Sequence, residues 1–184
     1  MANKIKYGIK NVYYAVATEG AGGVLTYATP VAIPGAVSLS LEAQGDTNTF
    51  YADNIAYYTS TADNGYQGDL ELALVPDDFR VDVLGETLDT KGFYVETSDG
   101  TQNEFALLFQ FEGDESNVRH CLYRCSASRP AVNGQTREES IEPQTESITI
   151  TAMARINDGV IKSRCPESAT DYATWFSAVV EPTP

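Results

Sequence analysis

The chain has 184 residues, 26 acidic and 12 basic, for a formal charge of −14, and that sign disfavours electrostatic capture of a polyanion such as DNA or an anionic membrane surface. Its length suits one domain with one core, and 42% aliphatic and aromatic residues, with 11 Tyr and 7 Phe, are too many for a disordered chain. No stretch approaches the roughly 18 to 20 apolar residues of a membrane span and the first residues carry no leader-like apolar run, so cytosolic synthesis is expected.

Residues 7–16, YGIKNVYYAV, are rich in β-branched and aromatic side chains and predict a first strand, followed by a glycine-rich break at EGAGGV. Gly20, Gly22 and Gly23 do not make a phosphate cradle, because Pro30 and Pro34 in the following LTYATPVAIPG exclude the helix that such a loop needs. From 36 to 44 the chain alternates, with Val37, Leu39, Leu41 and Ala43 on one face and Ser38, Ser40, Glu42 and Gln44 on the other. Residues 69–75 repeat the pattern with Leu70, Leu72 and Leu74 opposite Asp69, Glu71 and Ala73, so the two segments are expected to pair as an extended hairpin.

Between them, residues 45–68 predict a long loop in which Phe50, Tyr51, Tyr57, Tyr58 and Tyr66 are interspersed with Asp53 and other polar groups. Rigid aromatic anchors among adaptable hydrogen-bonding groups are the composition of an interface, although the same rings could fold back on their own domain. Residues 54–59 within it suit a short strand. At Pro76 the period changes: Asp77 and Asp78 suit a helix N-terminus, and Phe79, Val83, Leu84 and Leu88 give the apolar stripe of a helix over 77–88.

Strands follow at 92–97 and 104–112, the second a central core strand. A turn at 113–117 leads to its antiparallel partner at 118–127. Residues 128–144 read as an exposed connection, and 145–156 as a further strand with Ile148, Ile150, Ala152 and Ala154 opposite Ser147, Thr149, Thr151, Met153 and Arg155. The apolar tail DYATWFSAVV, residues 171–180, should dock on its own domain or on a neighbour.

Sites for chemistry are sparse. His120, Cys121 and Cys125 invite a zinc reading, but in a strand the two thiols share a face about 13 Å apart while His120 points away, which cannot close a tetrahedral site. With Cys165 they make three cysteines, an odd number for which free thiols are expected. Asp77 and Asp78 are explained by the helix start and Glu138 and Glu139 by an exposed loop, and the single histidine sits in no nucleophile motif. Asp63, Asn64, Gly65 and Asp69 have turn chemistry rather than calcium-loop spacing. No catalytic residue, cofactor or metal is expected.

Taken together, YGIKNVYYA, PGAVSLSLEAQG, FYADNIAYY, DNGYQGDLELALVPDDFRVDVLGE, FALLFQFEGD, CSASRPAVNGQT and the terminal WFSAVVEP resemble the major tail protein, or tail tube protein, of long-tailed non-contractile bacteriophages. The resemblance runs from Tyr7 to Pro182. It implies a mainly β fold with one α-helix, an antiparallel β-sandwich with a barrel-like character, in a single tail tube domain spanning 1–184 with an N-terminal arm over about 1–35 and a C-terminal arm over about 157–184. It further implies hexameric rings that close an inner β-barrel and stack into a virion tube through which DNA passes, with tape measure, tail terminator and distal tail proteins as partners. The loop 45–68 would then contact the adjacent ring through Phe50, Tyr51, Asp53, Tyr57, Tyr58 and Tyr66. Tyr172, Trp175 and Phe176 would serve the C-terminal arm, and Ser40, Glu42, Asp69 and Glu71 would face the lumen. No appended immunoglobulin-like domain is expected. The alternative is a soluble β-sandwich that binds a carbohydrate or cell-surface ligand through the tyrosine-rich loop.

Overall fold

The structure, a computed structural model, describes residues 5–134, 136 and 143–182. Part of the connection expected at 128–144, Glu138 and Glu139 included, lies outside the described residues. The chain opens with β1 (Tyr7–Glu19), whose pairing shifts near Gly8 and Asn11, both at positive φ. These shifts interrupt the strand's alternation, and burial becomes regular only from Val12 onward. A 3-10 turn at Ala21–Gly23 leads through β2 (Leu25–Tyr27) and β3 (Val31–Ala32) to β4 (Ala36–Gln44). Next come β5 (Thr47–Ala52), β6 (Ile55–Thr61), β7 (Gly65–Leu72) and the helix α1 (Asp77–Asp82). A small hairpin of β8 (Thr87–Leu88) and β9 (Tyr94–Val95) precedes β10 (Phe105–Glu112), β11 (Arg119–Ala127), β12 (Glu146–Met153) and β13 (Lys162–Cys165).

One large antiparallel sheet runs in the order β2-β1-β10-β11-β12-β7-β4, with β13 on β11 and β3 on β1, consistent with a β-sandwich. Its last strand, β4, comes back beside β1 and encloses the main core. Inside lie Tyr14, Leu70, Leu72, Phe105, Leu107, Phe109, Leu122, Ile148 and Ile150, capped by Phe79, Val83 and Leu84 from α1 and its exit turn. Phe79 meets Tyr14 and Phe105 edge-on at 5.1 and 5.5 Å between ring centroids, the geometry that the aromatic quadrupole favours. Strand β10 is buried on both faces. Its Ala106 and Leu108 point the other way, into a second cluster with Ala15, Cys121, Tyr123, Cys165 and Trp175.

The structure shortens or shifts several expected elements. The helix ends at Asp82 rather than Leu88, because Gly85 stands at φ +79° with the Thr101 carbonyl 2.5 Å from where a Cβ would sit; Thr87 and Leu88 are strand instead. Val37 is looped out at a register shift between Ala36 and Ser38, and it and Leu74 are exposed rather than on the apolar face. A second shift, opposite Phe105–Leu107, puts an extra residue into β11, so Cys121 joins the second cluster and Cys125 the main core. The two thiols therefore lie on opposite faces, not on one as strict alternation requires.

Candidate assembly and lumen surfaces

Ser40, Glu42, Asp69 and Glu71 come together on one side of the sheet. Register pairs Ser38 with Glu71, Ser40 with Asp69 and Glu42 with Gln67 across β4 and β7, then Glu71 with Ser147, Asp69 with Thr149 and Gln67 with Thr151 across β7 and β12. The result is a hydroxyl-and-carboxylate surface with no aromatic side chain at these paired positions. The Thr149 hydroxyl donates to Asp69 at 2.8 Å. Thr145 and Ser38 donate to the two oxygens of Glu71 at 2.7 and 2.8 Å, and these bonds hold its carboxyl below the usual carboxylate range. Beyond β12 the surface continues to Arg124, which pairs with Glu104 at 2.8 Å, so the uncompensated charge of the β4–β7 portion is negative. Strand β4 ends the ladder, bonded only to β7, and its nine residues include no Lys or Pro, the usual guards of a sheet edge.

The segment expected as a loop at 45–68 is a β-hairpin. Strands β5 and β6 pair from Thr47 with Thr61 to Ala52 with Ile55, around a tip where Asp53 and Asn54 both take positive φ, +53° and +61°. Such a two-residue tip has the hand that matches the twist of the strands. Phe50, Tyr51, Ile55, Tyr57 and Tyr58 are all exposed, Tyr57 at 71%, and the β5–β6 ladder is separate from the large sheet. Tyr66, counted with this loop from sequence, belongs to β7 and is half-buried beside the main core. Its hydroxyl takes a 2.7 Å hydrogen bond from Lys162 Nζ, whose charge also sits 4.2 Å from the ring centroid.

The sequence model of phage tail tube proteins matches residues 2–163 of this chain. The chain belongs to the phage tail tube protein family. A search of the curated proteins returns no match. Family membership makes this a structural component of the virion tail and gives the β-rich fold its setting.

In this tail tube protein the C-terminal residues expected to lie across a neighbour are bound to their own subunit. Trp175 is 4% exposed in the second cluster, and its indole N–H points at the His120 carbonyl at 3.4 Å. Phe176 stacks on Tyr13 at 4.9 Å, and the Tyr172 hydroxyl donates to the Asn117 carbonyl at 2.9 Å. The Arg119 guanidinium lies over both Tyr172 and Phe176, at 3.7 and 4.7 Å, and donates to the Tyr172 carbonyl. The tail thereby covers the β1–β10–β11 part of the sheet on the same side that β4–β7–β12 leaves polar.

Sequence reasoning missed Arg155, a charged position at the end of an alternating strand. It is 3% exposed, lies 4.8 Å over the Tyr123 ring, and pairs with Asp158 and, at 3.2 Å, with Glu181. Together with the 2.7 Å bond from the Tyr123 hydroxyl to the Val180 carbonyl, this latches the chain end. The sequence signal was only the Asp three residues after Arg155. His120, which sits in no metal or nucleophile motif, stacks on Phe109 at 5.1 Å, and burial, then the charges of Lys162, Arg164 and Lys6, lowers its pKa to about 4. Among the described residues no group of His, Cys, Asp and Glu could hold a metal, and all three cysteines are free thiols.

Proposed function

We propose that copies of this tail tube protein close into hexameric rings that stack into the tail tube, with the polar side of β4, β7 and β12 lining the channel through which DNA leaves the virion. The observation that carries this reading is the acidic, hydroxyl-rich surface ending in the free β4 edge, which carries a bulge at Val37 but no Lys or Pro. A long free edge is a template for pairing with another chain, and ring closure removes it by joining sheets into a barrel. That barrel would carry Ser40, Glu42, Asp69 and Glu71 on its inner wall. Ionised carboxylates there repel the phosphate backbone, so DNA slides without sticking.

The β5–β6 hairpin, with its aromatic side chains uncovered in the subunit, would make the axial contact to the next ring. Tape measure, tail terminator and distal tail proteins would start and end the stack. Two measurements test the reading. Negative-stain microscopy of concentrated protein should show rings or tubes of uniform diameter, and a persistent monomer that binds glycans would sink it. Glu42→Gln with Glu71→Gln should leave tubes intact while slowing DNA release from assembled virions; lost assembly would count against the lumen assignment.

A further inference from the structure

Two exposed apolar hairpins stand at opposite ends of the subunit. Hairpin β5–β6 grows from the Gln44 end of β4 and the Gly65 end of β7. Hairpin β8–β9 follows α1, which itself follows the opposite end of β7, and leads into the Phe105 end of β10. Register fixes these as different ends: Gly65 pairs with Gln44 and Leu72 with Ala36, eight residue steps apart along β4, or about 26 Å. The second hairpin exposes Leu88, Phe93, Tyr94 and Val95 at 57, 62, 46 and 39%, and like the first it forms a two-stranded ladder of its own. An isolated two-stranded hairpin is marginal in water, so each of these apolar surfaces needs a cover that the chain does not itself supply.

One pair of opposite charges, Asp53 and Lys91, stands at the two tips. Residues 46–63 contain three acidic side chains and no basic one, and Asp53, at the tip, has no ion-pair partner among the described residues. Around β8–β9 two of the four acidic groups at 86–99 are ion-paired, and Asp99 accepts only from the Ser98 hydroxyl. Glu86 pairs with Arg80 at 3.5 Å, Glu96 with Arg129 at 2.7 Å, and Asp89 accepts the backbone N–H groups of Lys91 and Phe93. Lys91, in the turn, is left as an exposed cation with no ion-pair partner among the described residues.

We infer that hairpin β8–β9 is the receptor for the β5–β6 hairpin of a second copy of this chain, with Phe93 and Tyr94 packing against its aromatic side chains and Lys91 facing Asp53. Complementary patches at opposite ends make a heterologous contact, which repeats head to tail along an axis rather than closing a dimer. This rests on the stacking reading and names its receiving surface.

The test uses the full chain, with tube formation followed by sedimentation and negative-stain microscopy and folding by circular dichroism. Lys91→Glu should raise the concentration needed for tubes about tenfold or more, since each weak contact is repeated around a ring. Adding Asp53→Asn, which tolerates the positive φ of the tip, removes the new repulsion and should restore assembly. Phe93→Ser with Tyr94→Ser should give folded subunits that do not form tubes. Wild-type assembly by both the Lys91→Glu and the Phe93→Ser/Tyr94→Ser proteins would overturn the receptor, and failure of Asp53→Asn to rescue would overturn the pairing of the tips. Deletion of residues 50–58 distinguishes loss of the β5–β6 contact from loss of its receptor. Tubes formed by that deletion would refute stacking through β5–β6 itself, whereas its failure to assemble beside normal Lys91→Glu tubes would place the receptor elsewhere.

Discussion

Replacing Trp175 with alanine separates a tail that stabilises its own subunit from one that serves a neighbour. The indole is 4% exposed among Ala15, Ala106, Leu108, Cys121, Tyr123 and Cys165. Truncating a buried Trp costs about 3 to 5 kcal/mol, and a position so near the chain end, where the segment can partly collapse, belongs at the lower end, about 3 kcal/mol. For a chain of this size each kcal/mol moves the melting point by about 2 to 4 °C, so a drop of about 6 to 12 °C is expected. The assay is urea and thermal unfolding of dilute, unassembled protein at two concentrations, with Trp175→Phe expected to lose less. An unchanged melting point in dilute Trp175→Ala protein, combined with failed assembly, would refute the reasoning and assign the tail to a neighbour.

Two further outcomes follow from the same contacts. His120 is held largely neutral by burial, with a pKa lowered from 6.5 to about 4, so the unfolded chain binds its proton first as pH falls. Its contribution is complete above pH 6.5 and lost as pH falls towards 4; discounted for the ring's partial exposure, it amounts to about 2 kcal/mol. His120→Phe, which can keep the stack on Phe109, should flatten the pH dependence of the urea midpoint across that window, and an unaltered slope would disprove the assignment. Gly68→Ala should open the β4–β7 pairing, because the new Cβ would stand 1.8 Å from the Ser40 carbonyl oxygen. A loss of about 3 kcal/mol and faster amide exchange along β4 are expected, and wild-type stability would show that the strands yield freely.

Much of this architecture was written in period-two patterns. The alternation of Leu39 and Leu41, of Leu70 and Leu72, of Phe105, Leu107 and Phe109, and of Ile148 and Ile150 places those side chains toward the main core as expected. What strict alternation cannot express is an extra residue. The bulges at Val37 and within β11 reverse parity locally, and they moved Val37 out to solvent and Cys125 away from Cys121. Residues 45–68 were misjudged for another reason: Asp53-Asn54 lacks the glycine that marks most tight hairpin tips, yet both residue types tolerate the left-handed region. The docking of Tyr172, Trp175 and Phe176 had no legible partner, because Tyr13, Arg119 and Cys121 lie more than fifty residues away in the chain.

Polarity by itself does not distinguish a channel wall from the solvent face of a monomer, since antiparallel sheets often leave one face wet. The distinction lies in how this sheet treats the two halves of the same side. Over β1, β10 and β11 the chain uses its C-terminal segment to bury Ala106, Leu108 and Cys121 beneath Trp175. Over β4, β7 and β12 it presents Ser, Thr and carboxylates, fixes Glu71 through Thr145 and Ser38, and stops at an edge of nine residues without Lys or Pro. Beyond the bulge at Val37 the edge from Ser38 to Gln44 carries Glu42 as its single charge and stays open to pairing. In the proposed ring the open edge and the acidic face have one explanation, because pairing β4 with the next copy would both join the subunits and curve the carboxylates toward a common axis.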